Sequence, residues 1–167
     1  MNLLNLYGSR FVFRIIINET DHTGDEQIIN DYTPKLKQTD PGEFSDKPFP
    51  LKWSKKEMLG HLIDSAQNNI RRFVVAQHEK EPHIVYAQDN WVMAADYRNY
   101  PNEDLVNLWV LLNKHIVIIL KNLPAGAEKR KVKTGELHTI EWLAEDYNKH
   151  LLHHLHQVLN LEDVPYA

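Results

Sequence analysis

Residues 53–75 read WSKKEMLGHLIDSAQNNIRRFVV, and their spacing decides the fold. Ser54 and Glu57 stand at the positions of a capping box, in which each side chain satisfies a backbone N–H of the first turn. Trp53 precedes the cap and is placed to pack on that turn. At about 100° per residue, Leu59, Leu62, Ile63, Ala66, Ile70, Phe73 and Val74 share one broad face. A helix is therefore predicted from Ser54 to about His78, ending before Pro82.

Three further segments carry the same period. Asn102–Asn122 (NEDLVNLWVLLNKHIVIILKN) is apolar almost all round, which predicts a deeply buried helix stopped by Pro124 and Gly126. A helix capped by Thr139 should run to about Asn160, with Ile140, Ala144, Tyr147, Leu151, Leu155 and Val158 inward. A shorter helix from about Asp25 to Gln38 is expected to bend at Pro34. Pro41, Gly42, Pro48 and Pro50 mark residues 39–52 as a connector. Residues 79–100 are too long for a tight turn and should cross the end of the bundle. Four helices around one core predict an all-α fold, a four-helix bundle with a long crossover between its second and third helices.

The remaining segments are less regular. Lys129, Arg130, Lys131 and Lys133 read as a solvated basic loop, or as an anion-attracting rim near a site. Phe11–Ile17 (FVFRIII) fits a short strand or a helix start, and Arg10 and Arg14 break any resemblance to a leader peptide. We divide the chain into an N-terminal extension, residues 1–23, and a bundle domain, residues 24–167.

Composition narrows the function. The 167 residues carry 19 Lys+Arg and 23 Asp+Glu, a net charge of −4, so no strong positive field is available to grip phosphate backbones. Nucleic acid is not expected as a partner. No stretch is apolar enough to span a membrane, and a cytoplasmic protein is expected. The absence of cysteine removes disulfides, thiolate metal sites and a cysteine nucleophile. Neither a zinc-protease H-E-x-x-H motif, nor paired E-x-x-H motifs, nor a phosphate-binding glycine loop is present.

What the chain does have is histidine. Of its 10 histidines, His150, His153, His154 and His156 crowd the last helix. The pair His150/His154 is spaced i, i+4, about 40° apart around the axis, and flanks the apolar stripe. His153 and His156 are turned further aside, toward solvent or behind a ligand. Imidazole is the commonest neutral metal ligand, yet one such pair also arises by chance in a His-rich helix. His61 heads a polar stripe with Asn68 and Arg72, and Asp64 lies about 60° off. That stripe reads either as a solvated face or as a polar groove.

Taken together, Trp53-Ser-x-x-Glu57-x-x-Gly60-His61-Leu62-x-Asp64-Ser65, Asn68-Asn69-x-x-Arg72-Phe73 and Tyr147-x-x-His150-x-x-His153-His154 resemble the DinB/YfiT-like metalloenzymes. The resemblance extends from about Ile28 to Leu161 and includes Asp89, Trp91 and Tyr97 of the crossover. It implies a four-helix bundle with a three-histidine site for one divalent ion, whose ligands here would be His61, His150 and His154. Members of that family include thiol-dependent S-transferases, a thiol-dependent isomerase and metal-dependent hydrolases. The ion would be Zn, Ni, Mn or Fe, all of which accept imidazole.

Around that site, Asp64 is a candidate general base or imidazole-orienting group, against the plainer reading of a surface carboxylate. Arg72 is a candidate clamp for a substrate carboxylate or phosphate, or an ion-pair partner across the bundle. Asn68, Trp91 and Tyr97 are candidate pocket residues, although connector aromatics commonly just anchor to the core. Trp53, Trp109 and Trp142 read as packing. The functional expectation is a metal-dependent enzyme, a hydrolase or a transferase using a low-molecular-weight thiol as co-substrate, acting on a small molecule. A non-catalytic metal- or ligand-binding bundle is the alternative, and incidental histidines on a structural bundle are the third reading. A homodimer is plausible from the resemblance.

Overall fold

The computed structural model describes residues 24–166; the expected extension, residues 1–23, lies outside them. Four long helices build the bundle: α1 (Gly24–Gln38), α3 (Lys55–Val75), α5 (Asn102–Lys121) and α6 (Ile140–Val158). Two short helices, α2 (Pro41–Ser45) and α4 (Gln88–Ala95), lie in the connections. Helix α3 packs on α5 and α6, and α1 packs on the same two, so the ring order is α1–α5–α3–α6. Every long helix thus touches two others and buries its apolar stripe between them.

Local chemistry sets the boundaries. The capping box forms: Ser54 Oγ accepts from Glu57 N at 3.1 Å, and Glu57 Oε2 accepts from Ser54 N at 2.7 Å. Thr139 Oγ1 caps α6 by accepting from Trp142 N. Asp40 caps α2 through the N–H groups of Gly42 and Glu43. Helix α1 continues through Pro34; the ring costs the helix one donor but does not end it.

The core is a continuous cluster of Leu59, Leu62, Ile63 and Phe73 from α3, Leu105, Trp109 and Ile116 from α5, and Tyr147, Leu151 and Leu155 from α6. Each such side chain removed from water contributes roughly 1.5–3 kcal/mol before conformational entropy is counted.

The connections hold more structure than a loop reading suggests. Lys131–Lys133 (β1) and Leu137–Thr139 (β2) pair antiparallel, with Gly135 at φ +119° in the turn. Val132 is buried while Lys131 and Lys133 face solvent, which keeps the solvated reading for those two lysines. Ile84 N donates to Lys133 O, and Lys133 N donates to Pro82 O, so the hairpin also holds the start of the crossover. Among the described residues no helix is long and apolar enough to cross a membrane.

Candidate metal centre

Two helices supply three imidazoles. His61 projects from α3 and is buried to 2% exposure, whereas His150 and His154 sit one turn apart on α6, half-buried. The bundle brings one ring nitrogen of each within 4.8 Å of the others. His61 Nε2 lies 3.0 Å from His150 Nε2. The rings are mutually edge-on: 80° between His61 and His150, 81° between His61 and His154, and 81° between His150 and His154. Three perpendicular rings point their nitrogens at a common region instead of stacking.

This donor set fits a divalent ion. Imidazole nitrogens on a tetrahedral zinc stand about 3.3 Å apart, given bonds of about 2.0–2.1 Å. Two facing Nε2 atoms are mutually repulsive unless one carries a proton or a cation takes both lone pairs. Burial, with the neighbouring His154, holds His61 down to about 4. Burial, then His154, His61 and His153, holds His150 down to about 3. Burial also lowers His154, against a raising hydrogen bond to Gln157. All three rings are therefore neutral near pH 7, the form that binds metal.

The surroundings orient two of the three rings. His154 Nδ1 lies 3.0 Å from Gln157 Oε1, and His150 Nδ1 lies 3.5 Å from Ser65 Oγ. His61 Nδ1 is buried with no hydrogen-bond partner, and Trp53 packs tilted on its ring at 5.1 Å. On its Nδ1 side, that ring is held by packing against Trp53.

The polar stripe on α3 is not a solvated face: His61, Asp64, Ser65, Asn68 and Asn69 are all at 5% exposure or less. Asp64 Oδ1 accepts from Tyr97 OH at 2.6 Å, and Asp64 Oδ2 is buried without a partner. Burial lifts the Asp64 carboxyl to about 6, against the Tyr97 hydrogen bond. The same carboxylate, after burial, holds the Tyr97 phenol well above its usual range. Asn68 spends its amide on Asp64 O within the helix. The Arg72 guanidinium donates twice to Ile84 O and once to Asn69 Oδ1, so it anchors the crossover. Trp91 is 39% exposed and packs against Tyr86 rather than on a histidine.

Three further residues flank the centre, and two of them, Tyr86 and Tyr166, lie outside the helices and carry no periodic signal in the sequence. Tyr86 faces Arg72, whose guanidinium lies 6.0 Å from its ring. Tyr166, near the C-terminus, sets its ring 5.4 Å from that of His150 and donates its OH to the Asp146 carboxylate. Gln157 had a legible position, three residues after His154 and four after His153.

The pKa shifts predict acid sensitivity of the metal-free protein. Unfolded imidazoles take protons near 6.5, but His61 and His150 in the fold wait until about 4 and about 3. Between those values the unfolded chain binds more protons, so stability present above 6.5 is lost as pH falls. Asp64 acts oppositely: raised from 3.8 to about 6, it favours the fold at low pH and loses that contribution as pH rises through 6. Two histidines outweigh one carboxylate. The urea midpoint of the metal-free protein should fall steadily from pH 7 to 4.5, and a flat midpoint would contradict the neutral-histidine assignment.

Comparison with known proteins bears on the family and the fold. A sequence profile of the DinB superfamily matches residues 26–158. A Bacillus mycoides protein named "Putative metal-dependent hydrolase" is 27% identical over 106 residues, 62% of this chain and 61% of its own length. The chain thus spans less than two thirds of that relative. YfiT from Bacillus subtilis, described as a probable metal-dependent hydrolase with an unusual four-helix bundle topology, superposes with a TM-score of 0.71 at 22% identity. That superposition covers 86% of this chain and 89% of YfiT, and it establishes the shared fold. With a matching profile over most of its length, a common bundle and a three-histidine cluster across α3 and α6, the chain belongs to the DinB superfamily.

Proposed function

We propose that this protein is a metal-dependent hydrolase of a small-molecule substrate, centred on His61, His150 and His154. One observation carries the reading: three imidazoles from two helices converge within 4.8 Å with their rings mutually perpendicular. Three side-chain ligands leave coordination open, which separates a catalytic site from a closed structural one. When bound, a divalent ion there supplies Lewis acidity, polarising a carbonyl oxygen and acidifying water.

The protein's own contribution is proton handling and rigidity. Asp64 stands one turn after His61 with Oδ2 unpartnered and Oδ1 held by Tyr97. Its pKa of about 6 leaves it ionised at pH 7 yet close enough to hold a proton transiently. We assign it to accept the proton of the attacking water and return it to the leaving group. Arg72 keeps the crossover seated through Ile84 O. The names of the Bacillus mycoides and Bacillus subtilis proteins support hydrolysis over thiol transfer. An imidazole-only donor set suits Zn, Ni, Mn or Fe.

The test is turnover of an ester and amide panel by protein loaded in turn with each ion, with and without a small thiol. Metal-dependent hydrolysis without thiol is expected, abolished in His154→Ala. Asp64→Asn should lower kcat by about 10²–10⁴-fold while retaining the ion. Consumption of an electrophile only when thiol is present would replace hydrolysis with transfer.

A further inference from the structure

The tail after α6, residues 161–166, folds back along the helix that carries two of the three clustered histidines. Leu161 N donates to His156 O at 2.9 Å. Glu162 O lies 2.5 Å from His156 Nδ1, and Tyr32 OH lies 2.6 Å from His156 Nε2. Val164 O lies 2.6 Å from His153 Nδ1. Tyr166 closes the run on Asp146. The tail is therefore fastened at several points, and one of them connects onward.

Following that contact inward fixes the direction of each hydrogen bond. A carbonyl oxygen only accepts, so His153 Nδ1 carries the hydrogen. His153 Nε2 then accepts, because the group facing it is an amide nitrogen. That nitrogen, Gln157 Nε2, lies 2.9 Å away and can only donate. The amide orientation is thereby set, with Oε1 facing His154 Nδ1 at 3.0 Å. That oxygen can only accept, so His154 holds its hydrogen on Nδ1 and its Nε2 lone pair is free. Gln157 spans both rings because it lies i+4 from His153 and i+3 from His154.

We propose that His153 and Gln157 are positioning residues. With the Val164 carbonyl of the tail they form a one-directional hydrogen-bond relay that fixes the Nδ1–H tautomer of His154 and presents Nε2 to the cation. The relay rests on the reading of His154 as a ligand, and it makes the C-terminal tail part of the metal centre. Without His153 as acceptor, the Gln157 amide is free to turn over and offer His154 its NH₂, which selects the wrong tautomer. Partners of this kind are worth about 10–100-fold in metal affinity.

Full-length wild type, His153→Phe, Gln157→Met, Gln157→Glu and the double variant His153→Phe/Gln157→Glu would be compared by two measurements. Long-range ¹H–¹⁵N NMR of the metal-free protein reads the His154 tautomer, and Zn²⁺ competition against a chromogenic chelator reads affinity. Wild type should show Nδ1–H on His154 and a slowly exchanging Nδ1 proton on His153. His153→Phe and Gln157→Met should lose the single tautomer and bind Zn²⁺ about 10–100-fold more weakly. A carboxylate at position 157 only accepts, so Gln157→Glu should keep Nδ1–H on His154 and wild-type or tighter affinity, even combined with His153→Phe. Unchanged tautomer and affinity in His153→Phe would overturn the relay, and so would a Gln157→Glu variant that behaves like Gln157→Met. A rapidly exchanging His153 Nδ1 proton would detach the tail from it. If His154→Ala binds Zn²⁺ as wild type does, the ligand reading fails, and the tautomer spectrum alone then decides whether the relay exists.

Discussion

His61→Ala should purify without a stoichiometric divalent ion, and its affinity for Zn²⁺ should drop by more than about 100-fold. The figure is a floor, because even the hydrogen-bond partners of ligands are worth about 10–100-fold. His61 is the cluster's sole contribution from α3; the other two histidines are neighbours on α6. Removing it leaves an i, i+4 pair that any histidine-rich helix can present. The same variant separates metal binding from folding. An ion at about 100 times its Kd stabilises the fold by about 2.7 kcal/mol. For a chain of this size, each kcal/mol shifts Tm by about 2–4 °C. Saturating Zn²⁺ should therefore raise the wild-type Tm by about 5–10 °C and leave the variant where it was. The variant should also lose part of the acid sensitivity of the metal-free protein, since its unfolded state no longer carries that extra proton-binding imidazole. One ion per chain with an intact thermal shift in His61→Ala would remove His61 from the ligand set, and with it the centre shared between α3 and α6.

How far the sequence foretold this centre depends on the range of the interaction involved. Ser54 and Glu57 were legible because a capping box is settled within four residues. His150 and His154 were legible as a co-facial pair because helical period alone sets their relation. Whether the stripe of His61, Asp64 and Asn68 faced water or protein was not, since period gives the angle between residues but not what lies opposite. Helix α6 and the crossover cover that stripe, and no local rule predicts the cover. Arg72 shows the same limit from the other side: its sequence position suited a substrate clamp or an ion pair across the bundle, and its guanidinium is engaged by the carbonyl of Ile84. The β1–β2 hairpin was read as a loop because three-residue strands are too short for alternation to register. Tyr166 is brought to His150 by a non-periodic tail. The family resemblance supplied the link between α3 and α6 that the residues alone left open.

Gly60→Ala should be among the most damaging single substitutions, although alanine is the better helix former. Gly60 sits inside α3, where glycine costs about 1 kcal/mol relative to alanine. Its place is explained by contact. A Cβ there would stand 2.1, 2.3 and 2.6 Å from Cδ2, Cγ and Cε2 of Tyr97. Those atoms include the root of the ring, so no rotation of a flexible end relieves the clash. Tyr97 is buried, with Tyr100 beside it and its hydroxyl held 2.6 Å from Asp64 Oδ1. Restoring normal carbon–carbon separation of about 3.5–4.0 Å means moving the ring by more than 1 Å, which breaks that hydrogen bond. Overpacking costs about 1–3 kcal/mol and a lost hydrogen bond to a charged group about 1.5–3, less the helix gain of about 1. A net loss near 3 kcal/mol, or about 6–12 °C in Tm, is expected. Function should suffer with it: Tyr97→Phe, which keeps the ring and removes only the donor, should push the Asp64 pKa above about 6 and move the acid limb of the activity profile upward. The decisive comparison is a double-mutant cycle. With the ring removed in Tyr97→Ala, adding Gly60→Ala should cost nothing and should recover up to about 1 kcal/mol of helix stability. Equal damage in both backgrounds would mean that the glycine is required for something other than the close approach of Tyr97.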